Sequence, residues 1–134
     1  MEDDSVDFVH SWVTFMHVGK ARVFDHYLGE IHRVLAEYGI ACIYFARAHI
    51  NRAVPATVKN WKLDCQEEEN QNITFIEGGA DTKINVCNLR VSLWYATQLC
   101  EDRGFEVLEK MCSKKIIGQQ TFVGGQHGLV IRKR

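Results

Sequence analysis

The hydrophobic pattern between positions 22 and 48 predicts a helix that leads directly into a buried strand. Apolar side chains recur at the spacing of one helical face, and Gly39 is expected to end the helix. Residues 40–48 are almost all apolar and are typical of a strand buried on both faces. This combination predicts helices packed on a sheet. The helical stripe consists of Val23, Phe24, Tyr27, Leu28, Ile31, Val34, Leu35 and Tyr38.

Residues 6–18, which precede this helix, have a less regular pattern. Their β-branched and aromatic content favours a buried strand. Because Phe8, Trp12 and Phe15 also recur at helical spacing, a helix that starts at Ser5 is the alternative.

The second half of the chain alternates between strand and helix patterns. Residues 59–65 alternate between apolar and polar side chains and are expected to form a hairpin with 73–77, followed by a longer strand over 84–93. Residues 94–112 have helical periodicity weakened by Gly104, which predicts one bent helix or two short ones. The Gly-rich segment 124–128 is expected to join 121–123 and 129–132 as a hairpin.

The order of these elements predicts an α+β fold with a mostly antiparallel sheet and two main helices. The arrangement resembles a split βαββαβ sheet of ferredoxin-like type with an extra hairpin. A length of 134 residues predicts a single domain over 1–134, and 46% apolar with 25% charged residues excludes a disordered chain. No apolar run reaches the roughly 18–20 residues that a membrane-spanning helix needs, so no membrane partner is expected.

The acidic start of the chain and its cysteines indicate where it resides. The first residues do not resemble an export signal, and five widely spaced cysteines without a C-x-x-C pair do not form a disulfide framework. We therefore expect reduced thiols and a cytoplasmic or nuclear location. Because no histidines or cysteines have metal-ligand spacing and no cofactor motif is present, we expect neither a metal nor a cofactor.

One histidine is the best candidate for a catalytic group. His127 lies among three glycines, which would let a backbone approach closely, and histidine side chains ordinarily titrate near neutral pH. A dyad of Cys100 or Cys112 with His127 is neither excluded nor supported by the sequence. The turn at 17–20 could offer backbone amides and Lys20 to an anion, but it lacks the glycines of a phosphate loop and is expected to be an ordinary turn.

Charge is distributed unevenly although the net charge is −1. Acidic residues cluster in the first seven positions, and residues 113–134 contain no carboxylate side chain. A basic edge could attract a nucleic-acid backbone through a salt-sensitive term that does not depend on base sequence. The candidate nucleic-acid-binding residues are Lys114, Lys115, Arg132, Lys133 and Arg134.

These features favour a binding protein over an enzyme. With only two helices expected, one sheet face would be left partly bare, and a second copy of the chain could cover it. The sequence therefore predicts a small intracellular accessory or adaptor protein, such as a viral host-interaction factor, that forms a homodimer and binds another protein. The alternatives are a nucleic-acid-binding protein that uses the basic carboxy-terminal segment, and a small hydrolase or transferase that uses His127.

Overall fold

The computed structural model describes residues 1–47, 75–77, 89–112 and 126–134. The described strands are β1 (Val6–Ser11), β2 (Leu35–Arg47), β3 (Phe75–Glu77), β4 (Leu89–Val91), β5 (Phe105–Cys112) and β6 (Gln126–Lys133). The described helices are a short 3-10 helix (Thr14–His17), α1 (Ala21–Val34) and α2 (Leu93–Asp102). None of these helices is long and apolar enough to cross a membrane.

The six described strands form one mixed sheet. Its order is β3-β4-β2-β6-β5, and β1 lies alongside β2 on the same edge as β4. Both β1 and β4 run parallel to β2, whereas β6 is antiparallel to β2 and β5 is antiparallel to β6. The prediction of a ferredoxin-like α+β fold is therefore wrong, because the sheet is mixed and its strands are not in the split order. In a split unit another strand would separate β1 from β2, but here they pair directly, with Val9 beside Ala41.

One face of the sheet packs against both helices, and we call it the covered face. The ring centroids of Phe24 in α1 and Phe45 in β2 lie 5.7 Å apart. Arg103, which follows α2, donates to Asp25 in α1 at 2.6 Å and so links the two helices. This packing forms one continuous hydrophobic core, which includes Phe24, Leu28, Ala41, Ile43, Phe45, Ala96, Cys100, Phe105, Leu129 and Ile131.

The opposite face carries alternate side chains of β1 and β2, and we call it the open face. Its register places Phe8 beside Ile40 and His10 beside Cys42. Phe8 is 59% exposed and Trp12 is 57% exposed, although apolar side chains on parallel strands are normally buried. The open face consists of Phe8, His10, Trp12, Ile40, Cys42 and Tyr44.

The first helix is shorter than its pattern predicts. It ends at Val34, the N–H of Leu35 donates to the carbonyl oxygen of Ile31, and β2 begins at Leu35. Tyr38 has a left-handed backbone with φ +64°, and its side chain is exposed instead of completing the apolar stripe. At Gly39 a Cβ would lie 2.8 Å from the carbonyl oxygen of Ala36, so this glycine permits a close backbone approach and does not end the helix.

The predicted helix over 94–112 is correct only in its first half. Ser92 caps α2 by accepting the N–H of Tyr95 at 3.1 Å, and Gly104, with φ +86°, turns the chain out of the helix. The rest is strand β5, whose pairing shifts between Val107 and Glu109. This bulge breaks the strand alternation, because Leu108 is the extra residue, and the remaining apolar positions then mimic helical spacing.

Other predicted elements are confirmed in part. Residues 6–18 begin as a strand, as favoured, but β1 ends at Ser11 and a 3-10 helix follows. Strand structure is confirmed within 73–77 and 84–93 over Phe75–Glu77 and Leu89–Val91. The predicted strands at 59–65 and 121–123 lie outside the described residues.

Candidate functional site

The parallel direction of β1, β2 and β4 brings their carboxyl ends to one edge of the sheet. These ends are at Ser11, Arg47 and Val91, and Gln126 at the start of the antiparallel β6 lies there too, paired with Ala46. In open α/β sheets, ligands bind outside the carboxyl ends of parallel strands. We call this region, together with the 3-10 helix Thr14–His17, the carboxyl edge.

The buried side of the 3-10 helix packs against the hydrophobic core. Phe15 and Met16 are buried, and the Phe15 ring lies 5.0 Å from the Phe24 ring of α1. The side-chain amide of Gln126 donates to the Met16 sulfur at 2.9 Å. His17, at the end of this helix, is exposed. Buried side chains therefore hold the 3-10 helix, and its exposed imidazole lies at the carboxyl edge.

The end of β1 combines a buried hydroxyl with an exposed aromatic ring. The Oγ of Ser11 is buried and has no hydrogen-bond partner among the described residues. The next residue, Trp12, packs against Tyr44 with 4.7 Å between ring centroids and is otherwise exposed. Because a buried hydroxyl without a partner lowers stability, Ser11 is a position where a bound ligand could complete the polar contacts.

The amino terminus of α1 holds a carboxylate from the chain itself. Glu77 accepts the backbone N–H of Ala21 at 3.0 Å and the ammonium group of Lys20 at 3.0 Å. These contacts, the Ala21 bond above all, lower the pKa of Glu77. At the turn 17–20, the anion-binding position at the helix terminus is filled by the chain's own Glu77.

The catalytic candidate His127 lies inside β6, not at a hairpin tip. It is completely buried, pairs with Phe45 in the ladder, and lies 5.9 Å from the Phe45 ring. Its catalytic role stays a prediction. Burial raises the pKa of the Cys100 thiol to about 12, which keeps this cysteine protonated and unreactive at neutral pH. The side chain of Cys112 lies outside the described residues.

The candidate basic residues do not form a common surface in the described part of the chain. Arg132 donates to Glu106 at 2.6 Å. Lys133 donates to Asp4 at 2.6 Å and to the carbonyl oxygen of Leu35 at 2.8 Å. Arg134 is exposed, whereas Lys114 and Lys115 lie outside the described residues. The acidic start and the basic end of the chain therefore neutralise each other in part.

Two further kinds of chemistry can be assessed for the described residues. Across these four segments, no group of three or more His, Cys, Asp and Glu side chains could hold a metal ion. Sequence reasoning missed Ser11, Trp12 and His17 as site candidates. The strand pattern at 6–18 was the available signal, but which strand ends share an edge depends on strand direction, and local periodicity does not specify that.

Comparisons with known proteins identify the fold. No known protein family matches the sequence, and no curated protein is significantly similar to it. Among solved structures, a methyltransferase dependent on S-adenosylmethionine (SAM) from Methanosarcina mazei is 14% identical, with a TM-score of 0.60 over 98% of this chain. A Listeria monocytogenes protein assigned to the same class is 12% identical, with a TM-score of 0.60 over 99% of this chain. The [4+2]-cyclase SpnF is 12% identical, with a TM-score of 0.54 over 99% of this chain.

These matches show that the chain has a Rossmann-like α/β fold. The chain spans only 60% of the Methanosarcina protein, 63% of the Listeria protein and 52% of the cyclase. The interpretation as an accessory, adaptor or viral host-interaction protein is wrong, because nearly the whole chain matches the fold of SAM-dependent methyltransferases. The nucleic-acid-binding alternative likewise receives no support, whereas the transferase alternative agrees better with these findings.

Proposed function

We propose that this chain forms the carboxyl-edge part of a methyltransferase with a Rossmann-like fold. The observation that carries the proposal is the topology. Parallel β1 and β2 lie next to the antiparallel pair β6 and β5, and this arrangement matches the methyltransferase structures over 98–99% of the chain. A fold alone does not determine a reaction, so the residues at the carboxyl edge must account for the chemistry.

The residues at the carboxyl edge suit a reaction that depends on positioning. Transfer between two bound molecules can gain most of its acceleration from orienting the reacting atoms at close distance. The described edge supplies a buried hydroxyl at Ser11, an aromatic surface at Trp12 and an exposed imidazole at His17. The protonated Cys100 and the buried His127 do not suit nucleophilic catalysis at this edge.

The described residues do not form a complete site for SAM. Nucleotide-binding turns of this fold class need closely spaced glycines between a parallel strand and a helix. No two of the ten glycines in this sequence are separated by a single residue. In the described turns, only Gly19 lies between β1 and α1, and Ser92 leads directly from β4 into α2. Neither of these two described turns therefore has the closely spaced glycines that hold a nucleotide.

The proposal is tested on the full chain isolated under native conditions from the cells that make it, together with anything that it binds. Binding of radiolabelled SAM is measured by equilibrium dialysis, and methyl transfer by label incorporated into a cell extract. We expect binding and transfer by the native assembly, and neither by the recombinant chain alone. A native assembly that does not bind SAM would overturn the proposal.

Two variants locate the activity. Ser11→Ala removes the buried hydroxyl at the carboxyl edge and is expected to weaken ligand binding without loss of stability. Leu108→Ala removes an exposed side chain at the bulge of β5 and is the matched control, expected to leave binding and transfer unchanged. Equal ligand binding by both variants would show that the ligand does not bind at Ser11 on the carboxyl edge. Binding without transfer would instead favour another reaction of this fold, such as cyclisation.

A further inference from the structure

The last turn of α1 packs against the turn that joins α2 to β5. His32 lies in this last turn of α1 and is half-buried. Its ring meets the Phe105 ring edge to face, with 5.1 Å between the ring centroids. At Gly104 an added Cβ would lie 3.1 Å from the Nε2 atom of His32. The imidazole therefore packs directly against the backbone of the turn.

Arg103, which immediately precedes Gly104, extends along α1 beside this histidine. At Gly29, one turn before His32, an added Cβ would lie 3.0 Å from the Nη1 atom of Arg103. The guanidinium group then donates to Asp25 at 2.9 and 2.6 Å, one further turn along α1. Because Gly29 has no side chain, this positive charge lies against α1 next to His32.

Lys133 in β6 brings a second positive charge from the sheet. It pairs with Phe105 in the ladder and donates to the carbonyl oxygen of Leu35 at 2.8 Å, just after the end of α1. Its side chain is only 13% exposed, so water screens its charge weakly. Asp4 also faces His32, but it already accepts from Lys133 at 2.6 Å. Among the charged groups that face His32 in the described part of the chain, both cations are thus held in place and the carboxylate already has a partner.

We propose that His32 is a proton-sensitive contact between α1 and the turn at 103–105, and that this contact loosens when the imidazole gains a proton. The neutral ring packs against Phe105 and Gly104 as an ordinary aromatic side chain. A proton places a third positive charge beside those of Arg103 and Lys133, in a half-buried position where charge is disfavoured. The end of α1 then moves away from the turn, while the rest of α1 remains packed on the covered face.

Acid weakens this contact in a defined pH range. Burial, and after it the charges of Lys133 and Arg103, lower the pKa of His32 below the ordinary 6.5, and Asp4 opposes them. Because the folded chain binds this proton less readily than the unfolded chain, the stabilisation is present above pH 6.5 and is lost as the pH falls through the lowered value. The contact lies near Leu35, where β2 begins, at the opposite end of the sheet from the carboxyl edge. It is therefore independent of the proposed function.

Two measurements on the full chain test the proposal. Hydrogen exchange followed by mass spectrometry at pH 7.5 and pH 5.5, corrected for the intrinsic effect of pH on exchange, reports how tightly the contact is closed. His32→Gln removes the titrating ring, and His26→Gln is the matched control, because His26 is an exposed histidine on the same helix. NMR follows the titration of the His32 ring proton, assigned by its proximity to the Phe105 ring, in the unchanged chain and in Lys133→Gln.

In the unchanged chain and in His26→Gln, the amides of 103–105 and of the last turn of α1 should lose several-fold of their protection at pH 5.5. In His32→Gln their protection should be the same at both pH values. The His32 ring should titrate below pH 6.5 in the unchanged chain and closer to 6.5 in Lys133→Gln.

Protection that stays constant in the unchanged chain, or that falls equally in His32→Gln, would overturn the proposal. A decline abolished by His26→Gln would do the same, as would titration of the His32 ring at or above pH 6.5. The titration is measured in the unchanged chain, so it decides the question even if His32→Gln does not fold. Neither measurement involves SAM, so failure here is distinguishable from failure of the proposed function.

Discussion

The two faces of the same sheet differ in how far this chain completes them. On the covered face, α1 and α2 bury Phe24, Phe45 and their neighbours in one continuous core. On the open face, Phe8 in β1 and Trp12 directly after β1 are exposed, although they belong to the same sheet. The difference teaches that, among the described residues, the chain completes the core on one side of the sheet and leaves apolar side chains exposed on the other.

The largest effect that separates the faces is expected from truncating matched phenylalanines. Phe45→Ala removes a buried ring from the covered face and should lower the free energy of unfolding by about 3–5 kcal/mol. Phe8→Ala removes an exposed ring from the open face and should cost less than about 1 kcal/mol in the isolated chain. Urea unfolding followed by circular dichroism measures both. Equal losses would mean that the faces are buried alike.

A second substitution tests whether the part of the open face around Gly128 is closely packed. Gly128→Ala places a Cβ 2.8 Å from the Met111 Cε and Tyr44 Cε1 atoms, and should lower the free energy of unfolding by about 1–3 kcal/mol. Gly19→Ala is the control, since no atom lies within 4 Å of its added Cβ. Its unfolding midpoint in urea should stay close to that of the unchanged chain. Equal unfolding midpoints for both variants would show that Tyr44 and Met111 do not pack closely over Gly128.

Acid should weaken the hydrogen bonds and ion pairs of Glu77 and Glu106. The expected change in the free energy of unfolding is smaller than for the substitutions above. Hydrogen bonds from Ala21 and Lys20, at the amino terminus of α1, lower the pKa of Glu77. The hydrogen bond from Arg132 lowers the pKa of Glu106. Because these pKa values lie below the ordinary 4.5, the stabilisation is present above pH 4.5 and is lost as the pH falls through the lowered values.

Urea midpoints between pH 7 and pH 3 measure this loss. Glu77→Gln should flatten part of the decline, and Glu106→Gln another part. A decline as steep in both variants as in the unchanged chain would exclude these two carboxylates as its cause.

The smallest change in stability is expected at the carboxyl edge. Ser11→Ala removes a buried hydroxyl that has no partner among the described residues, so the free energy of unfolding should stay the same or rise. Thermal unfolding of the recombinant chain is the measurement. A clear loss of stability would show that Ser11 makes a structural contact, and Ser11 would then no longer indicate a ligand site.

The sequence specified local structure better than the arrangement of strands. The stripe through Phe24, Leu28 and Ile31 correctly predicted α1, because burial on one face imposes helical spacing. The bulge at Leu108 hid β5 behind an apparently helical pattern. Strand direction is a long-range property that periodicity does not encode, so the parallel pairing of β1 with β2 was not predicted. The candidate site at Ser11 and Trp12 depends on that direction and was missed with it.

The charged residues teach a similar lesson. The asymmetry between the acidic start and the basic end of the chain was visible in the sequence. Its interpretation as a surface for nucleic acid stays a prediction, and the fold brings Asp4 next to Lys133, at 2.6 Å. Charges far apart in sequence can neutralise one another in space, so the free basic surface is smaller than the sequence indicates.

Hydroxyl-radical footprinting of single side chains tests the central claim most directly. In the isolated recombinant chain, Phe8 and Trp12 should be oxidised rapidly, whereas Phe45 and Phe105 on the covered face should be protected. Oxidation of Phe8 and Trp12 as slow as that of Phe45 and Phe105 would contradict the account, because the open face would then be as buried as the covered face.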